Sequence, residues 1–382
     1  MMIIDTKLPK VGTTIFTVMS QLAVQHKAVN LGQGFPDFEP PQPLRDSLNR
    51  AMNEGRNQYA PMHGIAPLRE QIALKVEALY GRRVNVDTDI TVTSGATEAV
   101  FAAIACVVRA GDEVIMFDPA YDCYEPAIDL QGARAIHIPL TVPAFSIDWQ
   151  RVRDAVTPKT RMILINSPHN PSGAVLSSAD LDELASIVRD TNIIVLSDEV
   201  YEHIVFDGAQ HESVLRHPEL ADRSFVVSSF GKTYHCTGWK LGYAIAPAAL
   251  SAEFRKVHQY LTFCSFHPSQ VAFAEFMASD PAHYLDLPAF YQAKRDRFRD
   301  LLKPSRFTLL DVPGGYFQLV DYSAIRDEDD LAFSQWLLLQ GGVAAIPLTP
   351  FYETAPGTRL LRLCFAKSDA TMDAAAERLC KL

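Results

Sequence analysis

The 382-residue sequence has six cysteines, at 106, 123, 236, 264, 364 and 380, and no two form a CxxC pair. That scatter argues against a zinc ribbon or a disulfide frame and reads as reduced thiols in cores. The eleven histidines show no HExxH or other paired-ligand spacing, so metal catalysis has no support. Long apolar runs are missing as well. The longest, Ala99 to Val108, is roughly half of what a membrane span requires. The start, Met1-Met2-Ile3-Ile4-Asp5-Thr6-Lys7, lacks the basic-then-apolar pattern of a secretory signal, so a soluble, cytoplasmic protein is expected. Positive charge is scarce: 35 Lys and Arg against 45 Asp and Glu leave a net charge of −10, with no Lys/Arg-dense face. The electrostatic footprint of a nucleic-acid partner is therefore not expected. No 20–50-residue repeat and no low-complexity tract appears.

What is present is ordinary globular composition, 48% hydrophobic and 21% charged, in a chain long enough for a large core and two domains. Residues 13–25 read as a short amphipathic helix with Phe16, Met19 and Ala23 on one face. The glycines and proline of Leu31-Gly32-Gln33-Gly34-Phe35-Pro36-Asp37-Phe38 favour a turn-rich path. A helix over 43–53 follows, then Leu68, Ile72, Val76 and Leu79 at helical spacing with Gly81 as the stop. From residue 89 strands and helices alternate. Strand-like runs fall at 90–93, 113–117, 133–138, 162–165, 193–196 and 225–227, with helical patterns at 121–131, 148–156 and 177–190. Such alternation predicts an α/β domain with a largely parallel sheet and a ligand beyond the carboxyl ends of its strands. After residue 248 the helices lengthen (248–262, 267–279, 283–302). Short strands at 307–310, 316–320 and 360–365, a helix near 329–340 and a last one from Asp369 make a smaller α+β unit. The N-terminal segment is expected to pack with it.

Chemistry-bearing residues collect at predicted strand ends. In Ser228-Ser229-Phe230-Gly231-Lys232 a lysine follows a buried strand where the chain turns, and Lys240-Leu241-Gly242 lies eight residues on. An amine desolvated in such a place suits covalent bonding to an aldehyde, although a lysine in a loop is more often a solvated charge. Ser94-Gly95-Ala96-Thr97 feeds a strand into a helix, where small residues let backbone N–H groups approach an anion; an ordinary capped turn would look the same. Asn166-Ser167-Pro168-His169-Asn170-Pro171-Ser172-Gly173 is a stiff polar turn whose Asn170 amide can meet a ligand oxygen. In Ser197-Asp198-Glu199-Val200-Tyr201 an acid ends a buried strand and needs a partner, such as a protonated pyridine nitrogen, unless it merely opens a surface helix. Arg359 and Arg362 should point to opposite faces of one strand, and an inward arginine needs an anion, either a structural ion-pair partner or a bound carboxylate.

In order and spacing these motifs resemble the class I aminotransferases, in the pyridoxal 5′-phosphate (PLP)-dependent transferase fold type I, over essentially the whole chain. The similarity is greatest to the methionine aminotransferases and the kynurenine/glutamine transaminase group. The resemblance implies an α/β fold with a large PLP-binding domain (41–282), mostly parallel in its sheet, and a small α+β domain built from 1–40 and 283–382. It implies that Lys232 bonds covalently to the cofactor aldehyde and later moves the proton. Asp198 would pair with the pyridine nitrogen, Asn170 and Tyr201 with the ring oxygen, and Tyr121 would stack on the ring. Ala96, Thr97, Ser229 and Lys240 would hold the phosphate, and Tyr59 would reach the phosphate of the other subunit's cofactor, so a homodimer with shared active sites is implied. Lys240 stands where many of the class carry arginine; a point charge can serve a phosphate in place of a fork.

Arg362, helped by Asn170 and Gly34, would bind the α-carboxylate, and Phe16, Tyr121, Phe263, Phe351 and Tyr352 would give an apolar lining. The implied reaction is ping-pong transfer of an amino group from an uncharged L-amino acid to a 2-oxo acid, with methionine leading and aromatic residues, glutamine or kynurenine after it. A cysteine-conjugate β-C–S lyase on the same fold is the nearest alternative. A non-catalytic PLP-binding regulatory module is a more distant one, for which no helix-turn-helix precedes the first motifs.

Overall fold

The computed structural model describes residues 5–382. Residues 1–4 of the N-terminal segment lie outside the described residues. In chain order come α1 (Ile15–Gln25), β1 (Val29–Asn30), α2 (Gln42–Asn53) and α3 (Ala66–Tyr80). The Thr14 hydroxyl caps α1 by accepting the Thr17 N–H, and Met19 and Ala23 are its buried residues. Helix α3 stops at Gly81, whose φ of +69° is the left-handed conformation a helix-ending glycine takes.

The expected alternation follows: β2 (Ile90–Thr93), α4 (Ala96–Val107), β3 (Glu113–Asp118), α5 (Tyr124–Asp129), β4 (Arg134–Pro139), α6 (Trp149–Ala155), β5 (Thr160–Asn166), α7 (Ser178–Val188), β6 (Ile194–Asp198), α8 (Pro218–Ala221), β7 (Ser224–Ser229), α9 (Phe230–Thr233) and β8 (Gly242–Ile245). These strands form one seven-stranded sheet in the order β2-β8-β7-β6-β5-β3-β4. Strands β3 to β7 are parallel to one another, and β8 runs antiparallel between β2 and β7. The sheet is thus largely parallel, as expected. Sequence pattern misses β8 because its four residues include Gly242 and Ala244, which propensity disfavours in strands.

The sheet is apolar on both faces, as a parallel sheet covered by helices must be. Ile115, Phe117, Ile163, Ile165 and Val195 face one core with Leu68, Ile72 and Val76 of α3. Val114, Met116, Met162, Leu164 and Leu196 face a second core with Ala99, Ala103 and Ile104 of α4. Alternate residues of each strand divide between the two, which is the two-residue period of a pleated strand.

Beyond the sheet lie α10 (Ala248–Leu261), α11 (His267–Ser279), α12 (Ala282–Leu302), β9 (Thr308–Leu309), β10 (Phe317–Asp321), α13 (Asp330–Trp336), β11 (Val343–Ala344), β12 (Ile346–Pro347), β13 (Leu360–Cys364) and α14 (Asp369–Leu379). The helix expected over 329–340 ends early, widening into a π turn from Leu337 to Gly341. An antiparallel sheet, β12-β13-β10-β9, centres the C-terminal part. The N-terminal segment joins it, since β1 pairs in parallel with β11 and Met19 and Ala23 of α1 pack with Ala344 and Ile346. Among the described residues no helix is long and apolar enough to cross a membrane.

A buried polar knot ties α3 to the strand ends that will matter for the site. Lys75 Nζ lies 2.6 Å from Glu202 Oε1 and 2.6 Å from the Tyr243 hydroxyl, and Ser228 donates to Glu202 at 2.8 Å. The Tyr80 hydroxyl also donates to Glu202. Burial acts to raise the Glu202 pKa, but Lys75, His203 and the Tyr80 hydroxyl together outweigh it and hold the carboxyl far below its ordinary range. Glu202→Ala would leave the Lys75 ammonium buried without its counter-ion. Removing one partner of such a pair costs roughly 3–5 kcal/mol. The urea midpoint of the protein should fall accordingly, and a shift worth less than about 1 kcal/mol would mean that the pair behaves as a solvated one.

Candidate active site

The carboxyl ends of β5, β6 and β7 open onto a cavity of about 340 Å³, where a parallel sheet presents its ligand. Asp198, the last residue of β6, is buried on its wall. The Tyr124 hydroxyl donates to one carboxylate oxygen at 2.6 Å and the Val200 N–H to the other at 3.2 Å. Burial pushes the Asp198 pKa up to about 6, with those hydrogen bonds and Lys232 opposing part of the rise. Lys232 sits on the one-turn helix α9 directly after β7, rather than on the glycine-rich turn its sequence suggests. Its Nζ donates to the Gly34 carbonyl at 3.3 Å and lies 5.6 Å and 5.8 Å from the ring centres of Tyr201 and Tyr316. Burial lowers its pKa to about 8. An acid and an amine, both pushed toward neutrality, thus line one cavity.

Arg362 occupies the middle of β13 and is 1% exposed. The predicted parity holds, since Arg359 is turned outward to Asp327. The Arg362 guanidinium donates to Asn170 Oδ1 at 2.9 Å and to the Gly32 carbonyl at 2.6 Å, and it lies 4.0 Å from the centre of the Phe317 ring. Both acceptors are neutral. Among the described residues its Nε has no partner, and burial lowers the guanidinium pKa. A buried cation held only by neutral groups is matched to an anion that arrives. Asn170 is held in turn: its N–H donates to Asn166 Oδ1 at 2.9 Å, and Asn166 Nδ2 donates to the Asp198 carbonyl at 2.9 Å. With Oδ1 engaged by Arg362, the Asn170 amide nitrogen remains to donate.

At the other end Gly95, with φ of +82°, precedes α4. A Cβ there would lie 3.3 Å from Lys240 Nζ, and one on Gly242 would lie 3.0 Å from the Ala96 nitrogen. Small residues therefore let an ammonium and backbone N–H groups crowd together, and Ala96, Thr97, Ser229 and Lys240 all line this cavity. Helix N-termini and ammonium groups suit a phosphate. Tyr121, Tyr201, Phe16 and Gly34 line it too.

Three residues expected as lining do not reach it. Phe351 packs behind Phe16, with ring centres 5.5 Å apart, and Tyr352 lines a separate cavity beside His137. Phe263 is 38% exposed and holds the edge of Tyr59 at 5.2 Å; Tyr59 itself is 82% exposed and outside this chain's own cavity. Residues that sequence reasoning missed are Tyr124, Asn166, Tyr316 and Phe317, and the carbonyls of Gly32 and Gly34. Tyr124 carries a signal, being one helical turn after Tyr121. Backbone carbonyls carry none.

A pyridine ring with a phosphate arm and an aldehyde fits this donor set. The carboxylate raised to about 6 calls for a proton-bearing partner, the depressed amine is nucleophilic, and the Gly95–Lys240 crowding forms an anion cradle. Among the described residues no group of three His, Cys, Asp or Glu side chains is placed to hold a metal ion.

The chain is similar to known proteins over its whole length. Methionine aminotransferase of Escherichia coli is 53% identical over 378 residues, covering 99% of this chain and 98% of its own. A solved E. coli structure identified with that function matches at a TM-score of 0.97, with 52% identity over the full length of both chains. A probable N-succinyldiaminopimelate aminotransferase of Mycobacterium tuberculosis is 40% identical, covering 98% of this chain and 97% of its own. Human kynurenine–oxoglutarate transaminase 3 is 32% identical, covering 97% and 88%. The family profile for aminotransferase class I and II matches residues 26–379, and with the acid, amine and guanidinium gathered at the strand ends the chain belongs to that family of pyridoxal 5′-phosphate-dependent aminotransferases.

Proposed function

We propose that the chain transfers the amino group of an uncharged L-amino acid, methionine foremost and then aromatic residues, glutamine or kynurenine, to a 2-oxo acid in a ping-pong cycle. The observation that carries this reading is the buried Arg362 with only neutral partners, the one arginine on the cavity wall among the described residues. One guanidinium serves one α-carboxylate, and a second carboxylate on the substrate would find no fork of its own. Methionine is favoured by the identity to the E. coli enzyme, and Phe16 and Tyr121 supply apolar wall.

When bound, the cofactor supplies a carbonyl that captures the amino group and a ring that withdraws electrons from the substrate α-carbon. Asp198, ionised against the ring nitrogen, would keep the proton there. Tyr201 and the Asn170 amide would donate to the ring oxygen, and Tyr121 would cover the ring face. Ala96, Thr97, Ser229 and Lys240 would hold the phosphate. Lys232, its pKa lowered by burial to about 8, would take the α proton and pass it, on the same face, to the carbon that had carried the aldehyde.

Residues 41–282 serve as the cofactor domain, with 1–40 and 283–382 as the smaller one. Two copies are proposed to assemble through the exposed apolar patch of Tyr59, Tyr260, Leu261, Phe263 and Phe266, which would carry Tyr59 to the partner's phosphate. A cytoplasmic site of action suits the six free cysteines.

Lys232→Ala should retain cofactor binding yet lose transfer by about 10²–10⁴-fold or more, the range for a removed general base. Near-normal turnover would sink the assignment. Screening amino donors against a fixed 2-oxo acid should rank methionine and aromatic residues far above aspartate. Aspartate as best donor would refute the lone-arginine argument, and pyruvate release from cysteine conjugates without an oxo acid would point to the lyase instead.

A third measurement concerns the amine itself. In the apoenzyme the fraction of neutral Lys232 rises as pH climbs through about 8, well below the ordinary lysine range. Labelling of Lys232 by an amine-reactive reagent, followed by peptide mass spectrometry, should show that midpoint. A midpoint at about 10 or above would mean the amine is not desolvated.

A further inference from the structure

Behind the phosphate end of the cavity lies a buried pair that the proposed reaction does not use. His258, in the last turn of α10, has a fully buried side chain, and that of Glu98, in the first turn of α4, is 9% exposed. His258 Nε2 lies 2.9 Å from the Met62 carbonyl and Nδ1 lies 3.0 Å from Glu98 Oε1. A carbonyl only accepts, so Nε2 carries a hydrogen, and the Nδ1 contact places a second proton between the ring and the carboxylate. Glu98 Oε2 accepts the Ser94 N–H at 3.1 Å. One continuous chain of hydrogen bonds therefore runs from the loop holding Met62, through His258 and Glu98, to the residue before Gly95.

The placement has an electrostatic consequence. The N–H groups of Ala96 and Thr97 at the head of α4 favour an anion less when an uncompensated negative charge stands in that first turn. Glu98 by itself is such a charge. The imidazole proton offsets it, while the carboxylate still fixes Ser94. The same ring holds the loop 59–64, whose Tyr59 lies three residues before Met62.

We propose that His258 and Glu98 are positioning residues for the cofactor phosphate, holding the Ser94–Ala96 turn in register with the 59–64 loop and cancelling the carboxylate charge that would oppose the phosphate. This rests on the reading of Ala96, Thr97, Ser229 and Lys240 as the phosphate site.

The test compares apoenzyme affinity for pyridoxal 5′-phosphate with that for pyridoxal, which lacks the phosphate, by equilibrium dialysis. His258→Gln keeps a donor toward Met62 but leaves Glu98 charged and uncompensated. It should lower the preference for the phosphorylated form by about five- to tenfold, the scale of a charge near a helix end, and leave pyridoxal affinity unchanged. Glu98→Gln still accepts from Ser94 without the charge, and His258→Gln/Glu98→Gln should recover the preference to within about threefold of the parent protein. A purely structural role predicts equal weakening of both ligands and no recovery of the preference in the double variant; either of these overturns the proposal, as does an unchanged preference in His258→Gln. Lys240→Ala separates the two levels. If it lowers the preference and His258→Gln does not, only the pair is refuted. If Lys240→Ala also leaves the preference intact, the phosphate site is misread and the pair falls with it.

Discussion

Incomplete compensation of buried charge is the constraint on which the site depends. Asp198, Lys232 and Arg362 are taken out of bulk water on one cavity wall, and none is given a full ionic partner by the protein. Burial moves all three in the direction that disfavours charge: the acid up, the amine and the guanidinium down. Such an arrangement is unfavourable for the bare fold and favourable for a ligand that brings the missing charges. On the proposed reading a ring nitrogen with its proton would answer Asp198, a carbonyl carbon the amine, and a carboxylate Arg362. Contrast Lys75 and Glu202, buried just behind, where each charge meets its opposite and two tyrosine hydroxyls besides. That pair is finished, and so holds structure; the cavity residues are unfinished, and so bind.

The fold produces this by bringing elements from three parts of the chain to one point. Strands β5, β6 and β7, hydrogen-bonded side by side, end together, so Asn166, Asp198 and Ser229 arrive at a common edge. Strand β13 of the second sheet delivers Arg362, and the segment after β1 delivers the Gly32 and Gly34 carbonyls. Gly34 allows this closeness because a Cβ there would come within 2.8 Å of the Phe317 ring. Its carbonyl accepts from both Lys232 and the Tyr316 hydroxyl, the latter at 2.6 Å, so the amine rests on an acceptor already engaged. A lysine held by one long, shared hydrogen bond is easily released to a substrate or a cofactor.

Legibility from sequence follows the same physics. Strand positions were readable because a sheet covered on both faces demands unbroken apolar runs, as at Met162–Ile165 and Ile193–Leu196. Side chains at the ends of those runs, Asp198 and Lys232 above all, stood out because polar groups are rare there. Arg362 was readable from the parity of a strand. Strand β8 was not, since its short Gly-Tyr-Ala-Ile stretch lacks the composition of a strand and is held by neighbours on both sides. Nor was the Tyr124 hydroxyl on Asp198, whose partner is 74 residues away in sequence. Aromatic residues were the least legible. Phe16 and Phe351 look alike in sequence, yet Phe16 faces the cavity and Phe351 packs behind it, at the end of the short turn Thr349–Phe351.

That difference bears on specificity. With Phe351 one layer back, the apolar wall near Arg362 is made by Phe16, whose ring centre is 5.1 Å from the guanidinium, and by Phe317 at 4.0 Å. Both rings flank a cation, so they keep water from the guanidinium and, on the proposed reading of Arg362 as the carboxylate clamp, would offer the substrate side chain an aromatic surface. Phe16 comes from α1, which packs on Ala344 and Ile346 of the C-terminal part and not on the large sheet. The aromatic wall beside Arg362 is thus shared between α1 and β10, both outside the large sheet whose strand ends carry Asp198 and Lys232. A substitution in α1 would therefore change that wall while leaving Asp198 and Lys232, which the large sheet positions, in place.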